Sequence, residues 1–169
     1  AAIEQTGVDP ETVASKENLI AIRERCRDIR AAFIESLQDK AGKALEVMET
    51  AGVHPDESYR KFLGILYDYQ TINEADGIVP PKEGFFARAK DHEAWFTKAK
   101  AKTLLPLVYP FLEAPLQDFC DMWGREHAVY NTAKILDDQL YGLGVASELS
   151  RTFQELMKEK NVLCIDDSN

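Results

Sequence analysis

The chain has 169 residues, 45% of them hydrophobic, with 20 basic against 29 acidic side chains and a formal charge of −9. That length suits one domain able to bury a proper core, and the acidity excludes the broad basic surface of an ordinary nucleic-acid-binding domain, so any such contact must be local. Three distant cysteines in apolar surroundings (Cys26, Cys120, Cys164) read as reduced core residues of a cytoplasmic protein, and neither a membrane-length apolar run nor a signal-peptide pattern is present.

In chain order, Asp9-Pro10-Glu11 is a helix-start signal, with acids near the positive end and a proline whose missing N–H costs nothing there. From about Lys16 the residues Leu19, Ile22, Cys26, Ile29, Phe33, Leu37, Ala41, Ala44, Met48 and Ala51 recur at steps of three and four, which predicts one long helix ended by Gly52. A break near Asp39 to Gly42 is the alternative. His54-Pro55-Asp56-Glu57 predicts a second helix start, with Tyr59, Phe62, Leu63, Leu66 and Tyr69 to bury; Gly77 to Pro81 then predicts an extended connection.

Residues 83 to 102 resume helical character and interleave aromatics with cations. Pro106, Pro110 and Pro115 predict short pieces before a second long helix at roughly Leu116 to Leu140, which Gly142 and Gly144 punctuate. A last helix is predicted over about Val145 to Glu159. Val162-Leu163-Cys164-Ile165 has the β-branched, apolar look of a buried strand. The expected fold class is therefore all-α: an irregular multi-helix bundle with two long helices and one short orphan strand near the C-terminus. A lone strand leaves its backbone groups unpaired, so this ending reads as a cut through a larger sheet.

The motifs of nucleotide cradling, dinucleotide binding, serine hydrolysis and zinc knuckles are all missing from the sequence. Asp137-Asp138 is half of an acidic magnesium motif, but Tyr141 stands where a third carboxylate is wanted; a solvated helix face is the expectation. Glu126-His127 is half of H-E-x-x-H with Tyr130 in the second histidine's place, so His127 is expected as a hydrogen-bonded residue beside the core. Asp166-Asp167 follows the strand and could cap a following helix. No catalytic residue and no metal ligand is assigned to this chain.

Val162-Leu163-Cys164-Ile165-Asp166-Asp167, with Tyr130 and Lys134 upstream in Y-x-x-x-K spacing, resembles the apolar–F-D-D-L segment of UvrD/Rep-type superfamily 1 DNA helicases, closest to their RecB-like and AddA-like branch. Ile165 stands where the family has an aromatic, and Ser168 where it has leucine. The resemblance covers about Tyr130 to Asn169. It implies that residues 1–144 form a helical insertion of the 1B kind and that 145–169 return toward a RecA-like motor domain, ending just before the Walker B region. ATP, magnesium and catalysis would then belong to flanking motor domains of the parent helicase or helicase–nuclease, with DNA as substrate and an AddB-like subunit as a possible partner. It also implies that the two chain ends lie close together.

Contact with DNA needs cations for phosphates and flat side chains for bases. Residues 82 to 102 offer both: six basic residues against Glu83, Asp91 and Glu93. The expected DNA-binding set is Arg88, Lys90, Lys98, Lys100 and Lys102 on phosphates, with Trp95 stacking. Lysine stems covering a buried Trp95 and Phe96 are the plainer alternative. Arg23, Arg27 and Arg30 form a second basic line, but Glu24 and Asp28 alternate with them, the pattern of a solvated face. The competing functional expectation is a free-standing acidic helical module for protein–protein interaction.

Overall fold

The computed structural model describes residues 16–159, and every regular element in that range is helical. The elements are α1 (Lys16–Thr50), α2 (Ile65–Gln70), α3 (Glu83–Lys90), α4 (Lys98–Asp121) and α5 (Arg125–Glu159), with single 3-10 turns at Pro55–Glu57, Tyr59–Gly64, Glu74–Asp76 and His92–Ala94. The expected helix start at Asp9, the strand at 162–165, Cys164, Asp166-Asp167 and both chain ends lie outside the described residues.

α1 is unbroken over 35 residues, about 52 Å at the helical rise of ~1.5 Å per residue. Asp39 to Gly42 does not interrupt it. It stops where the sequence indicates: Gly52 takes φ +68, its N–H donates to the Glu49 carbonyl at 2.9 Å, and the Val53 N–H donates to the Met48 carbonyl at 2.9 Å. This pairing satisfies the last carbonyls, and the accompanying contact between the residues on either side is supplied by buried Met48 and Val53.

Three boundaries differ from expectation. The segment after His54 is not one helix. The buried Ser58 hydroxyl donates to the Pro55 carbonyl at 2.6 Å and accepts from the Leu63 N–H at 3.0 Å, replacing bonds that a regular helix would form. Arg60 and Lys61 turn left-handed at φ 52 and 55, and regular α-helix resumes only at Ile65.

The prolines, in turn, do not break α4. Pro106, Pro110 and Pro115 deprive the carbonyls of Lys102, Pro106 and Phe111 of their helical donors. All three carbonyls belong to exposed residues, where water can serve them, while Val108, Leu112, Leu116, Phe119 and Cys120 bury the opposite stripe. Finally, the helix expected over 116–140 is two helices. Trp123 and Gly124 donate to Cys120 and Asp121 three residues back, which tightens the end of α4, and α5 then runs from Arg125 straight through Gly142 and Gly144. Residue 144, the expected domain boundary, lies inside α5.

The described chain forms two compact units: Ile29–Asn131, and the segments 16–28 and 132–159 on either side of it. In the larger unit, Val47 and Ala51 of α1 lie beside Leu107 and Phe111, Lys40 and Lys43 beside Ala114 and Asp118, and Ser36 beside Met122. Falling numbers meet rising ones, so α1 and α4 run antiparallel. Their shared core holds Leu37, Ala41, Ala44, Met48, Leu112 and Phe119 fully buried, and Tyr69 packs on Phe119 and Trp123 with ring centroids 5.3 and 5.1 Å apart.

The smaller unit buries Cys26, Ala133 and Leu140. There Asp137 corrects the sequence expectation. It is only 8% exposed, accepts from Arg23 Nε at 3.0 Å, and is not part of a solvated face. The Arg23 guanidinium also lies 5.3 Å from the Tyr141 ring centre. Arg30, in the larger unit, pairs with Glu74, which leaves Arg27 as the exposed member of the arginine line.

Candidate nucleic-acid interface

The basic neighbourhood of residues 82–102 is built from α3, the turn His92–Ala94 and the first turns of α4. Asp91, at φ −110 and ψ 90, breaks the helical run between them. Trp95 then folds back under α3. Its indole N–H donates to the carbonyls of Arg88 and Ala89 at 3.1 and 3.3 Å, the first of which also accepts from the Asp91 N–H at 3.1 Å, so the side chain ties down the end of the helix.

That geometry corrects the stacking expectation. Trp95 is 1% exposed and Phe96 4%, so neither offers a ring face to a base. Trp95 instead packs edge-on against Tyr109, centroids 5.9 Å apart. The indole's size and apolarity drew it inward, and its one polar atom found partners there.

The cations divide into three kinds. Arg88 is half-buried, with its guanidinium 4.9 Å from the Tyr59 ring centre and 5.5 Å from that of Phe62, so it holds the segment after Ser58 against α3. Its position in the last turn of α3, with Lys90, also suits the negative end of that helix. Lys100 is exposed but paired with Glu57 at 3.3 Å. Lys90, Lys98 and Lys102 are exposed and form no ion pair among the described residues.

The placement of Lys98, Lys100 and Lys102 runs against local stability. They occupy the N-terminal turns of a 24-residue helix whose first turn contains no acid. A cation there opposes the helix dipole, an effect worth roughly 0.3–1 kcal/mol at an exposed site. Lys98 and Lys102 are also like charges four residues apart, costing roughly another 0.2–0.5 kcal/mol. Thr97 makes no side-chain cap hydrogen bond, so the first N–H groups of α4 face the same surroundings as the lysines. Dipole, open N–H groups and ammonium groups together favour an anion.

Sequence reasoning missed Arg60 and Lys61. The Tyr59 N–H donates to the Trp95 carbonyl at 2.7 Å, which joins this segment to the basic neighbourhood. The Arg60 guanidinium lies 5.3 Å from the Tyr59 ring centre, and Lys61 pairs with Asp56 at 2.9 Å. Left-handed backbone costs an ordinary residue about 1–2 kcal/mol, a cost offset here by the Ser58 bonds and by burial of Phe62 and Leu63. No local sequence signal marks this, because the contact joins Tyr59 to Trp95, far along the chain.

Among the described residues, no group of three or more histidine, cysteine, aspartate or glutamate side chains is placed to hold a metal, and no helix is long and apolar enough to cross a membrane. Comparison with protein-family models, curated proteins and solved structures finds no match for this chain.

Proposed function

We propose that this chain is a helical accessory subdomain of an ATP-dependent DNA helicase or helicase–nuclease of the UvrD/RecB/AddA kind, positioning DNA or bracing the motor during unwinding and repair. ATP, magnesium and catalysis belong to flanking RecA-like domains on this reading, and this chain supplies a contact surface. The observation that carries the DNA contact is the N-terminus of α4. Lys98, Lys100 and Lys102 crowd the positive end of a helix whose first turn holds no acid, and of the three Lys100 alone has a carboxylate partner, Glu57, among the described residues, an arrangement that a bound phosphate backbone turns from a cost into a gain. Lys90, at the end of α3, is a further exposed cation, and Arg88 packs on Tyr59 and Phe62. The competing reading, an interaction module, draws on the exposed side chains of Leu107 and Phe111.

The test is the binding of a fluorescently labelled single-stranded oligonucleotide at low salt. Lys90, Lys98 and Lys102 are exposed, so replacing all three by alanine leaves the core intact. Each lysine on a phosphate contributes about 0.7 to the slope of log K against log salt on single strands. The triple variant is therefore expected to lose affinity and to flatten that slope by about 2. Unchanged affinity and slope would remove the DNA contact from these residues.

A further inference from the structure

The exposed side of α4 carries a feature that the lysine surface does not use. Leu107 and Phe111, one helical turn apart, are 49% and 68% exposed. With Val47, Thr50 and Ala51 of α1 they line an apolar groove of about 440 Å³, and Glu46 stands at its lip. The whole groove lies within the Ile29–Asn131 unit.

The charged groups around this floor are acidic in balance: Glu46 at the lip and Glu35, Asp39 and Glu49 in the groove beside it outnumber Lys40 and Lys43, which lie farther along the seam with Asp118. Glu46 also borders a neighbouring shallow groove with Glu35, Asp39, Glu49 and Lys43. Lys43 and Asp39 pair with each other at 2.6 Å, which leaves Glu35, Glu46 and Glu49 as the excess negative charge of the strip. Backbone acceptors add to it, since Pro110 and Pro115 remove the N–H groups that would cover the carbonyls of Pro106 and Phe111. An apolar floor with an acceptor rim selects a ligand with apolar anchors flanked by positively charged donors. A nucleic acid is repelled by the same carboxylates.

We propose that this groove docks a cationic amphipathic helix of another protein, seating apolar side chains against Leu107 and Phe111 and placing lysine or arginine against Glu46 and its acidic neighbours. The docking uses no lysine of the 82–102 neighbourhood, so it stands or falls independently of DNA binding.

Two stapled helical peptides test it, sharing one leucine stripe but flanked by lysine in the first and glutamate in the second. Titrated into the isotopically labelled chain, the lysine peptide is expected to bind and shift the amide resonances around Leu107 and Phe111, while the glutamate peptide does not. Phe111→Ser and Glu46→Lys should each weaken binding about tenfold or more, the effect of losing a central anchor or a paired charge. Phe111 is largely solvent-exposed, so the first variant keeps the fold. Failure of the lysine peptide to bind, equal binding of both peptides, or indifference to Phe111→Ser would overturn the proposal. So would concentration-dependent self-association abolished by Phe111→Ser, which would make a second copy of the chain the occupant.

Discussion

Gly52 and Gly142 put the same residue type under opposite requirements. Gly52 sits at φ +68, where a side chain is strained whatever the space, and an added Cβ would meet nothing within 4 Å. Gly52→Ala should therefore destabilise by about 1 kcal/mol through backbone conformation alone. Gly142 lies in the interior of α5, exposed, also with nothing within 4 Å of an added Cβ. There the same change should stabilise by up to about 1 kcal/mol. Denaturant midpoints of the two variants should move in opposite directions.

His127 supplies a pH dependence at this scale. Its ring packs among Phe33, Trp123 and Tyr130, with the Asn131 amide nitrogen 3.3 Å from Nε2. Burial pushes its pKa below the ordinary 6.5, against an opposing backbone hydrogen bond to Ile78. The folded state thus binds the proton less readily than the unfolded chain. Its contribution to stability is full above about pH 6.5 and declines as the pH falls through that value toward the lower folded pKa. The denaturant midpoint should fall between neutral and mildly acidic pH, and His127→Gln should flatten that part of the profile.

At the scale of elements, α4 shows packing overriding propensity. Proline costs about 3 kcal/mol in a helix interior relative to alanine, and α4 contains three. The apolar stripe through Val108, Leu112, Leu116 and Phe119 offsets that cost by burial against α1 and its neighbours. Leu112→Ala should accordingly cost about 2–5 kcal/mol, while Leu107→Ala, on the exposed side, should stay within about 0.5 kcal/mol. Equal losses in a denaturant titration would mean that the assigned faces are wrong.

α1 was legible in the sequence to within two residues at its C-terminal end because a continuous stripe and a helix-ending glycine speak with one voice. α4 was not, because its local signal, three prolines, contradicts the tertiary contacts that decide it. The turn from Ser58 to Gly64 was hidden for a related reason, since a serine hydroxyl and a distant tryptophan carbonyl set its path.

For the molecule as a whole, the helical class followed from periodicity, and the described residues bear it out. The candidate interface was legible as composition and only partly as geometry. Lys90, Lys98 and Lys102 are exposed as a phosphate contact requires, but Trp95 is interior and Arg88 is engaged with Tyr59 and Phe62. A one-dimensional pattern shows that aromatics and cations alternate; it does not show which of them the core takes. The acidic strip of α1 was similarly invisible as a surface, because the pattern does not show that Glu46 borders the floor that α4 completes while Glu35, Asp39 and Glu49 line the groove beside it.

The prolines of α4 also constrain the order of assembly. A segment with its hydrogen-bond ladder interrupted at three points is a poor helix nucleus. Its shape must be lent by a surface already in place, and α1, proline-free and rich in alanine, is suited to form early and offer one. On that view α4 is recruited late in folding, cast against a template rather than bringing a conformation of its own.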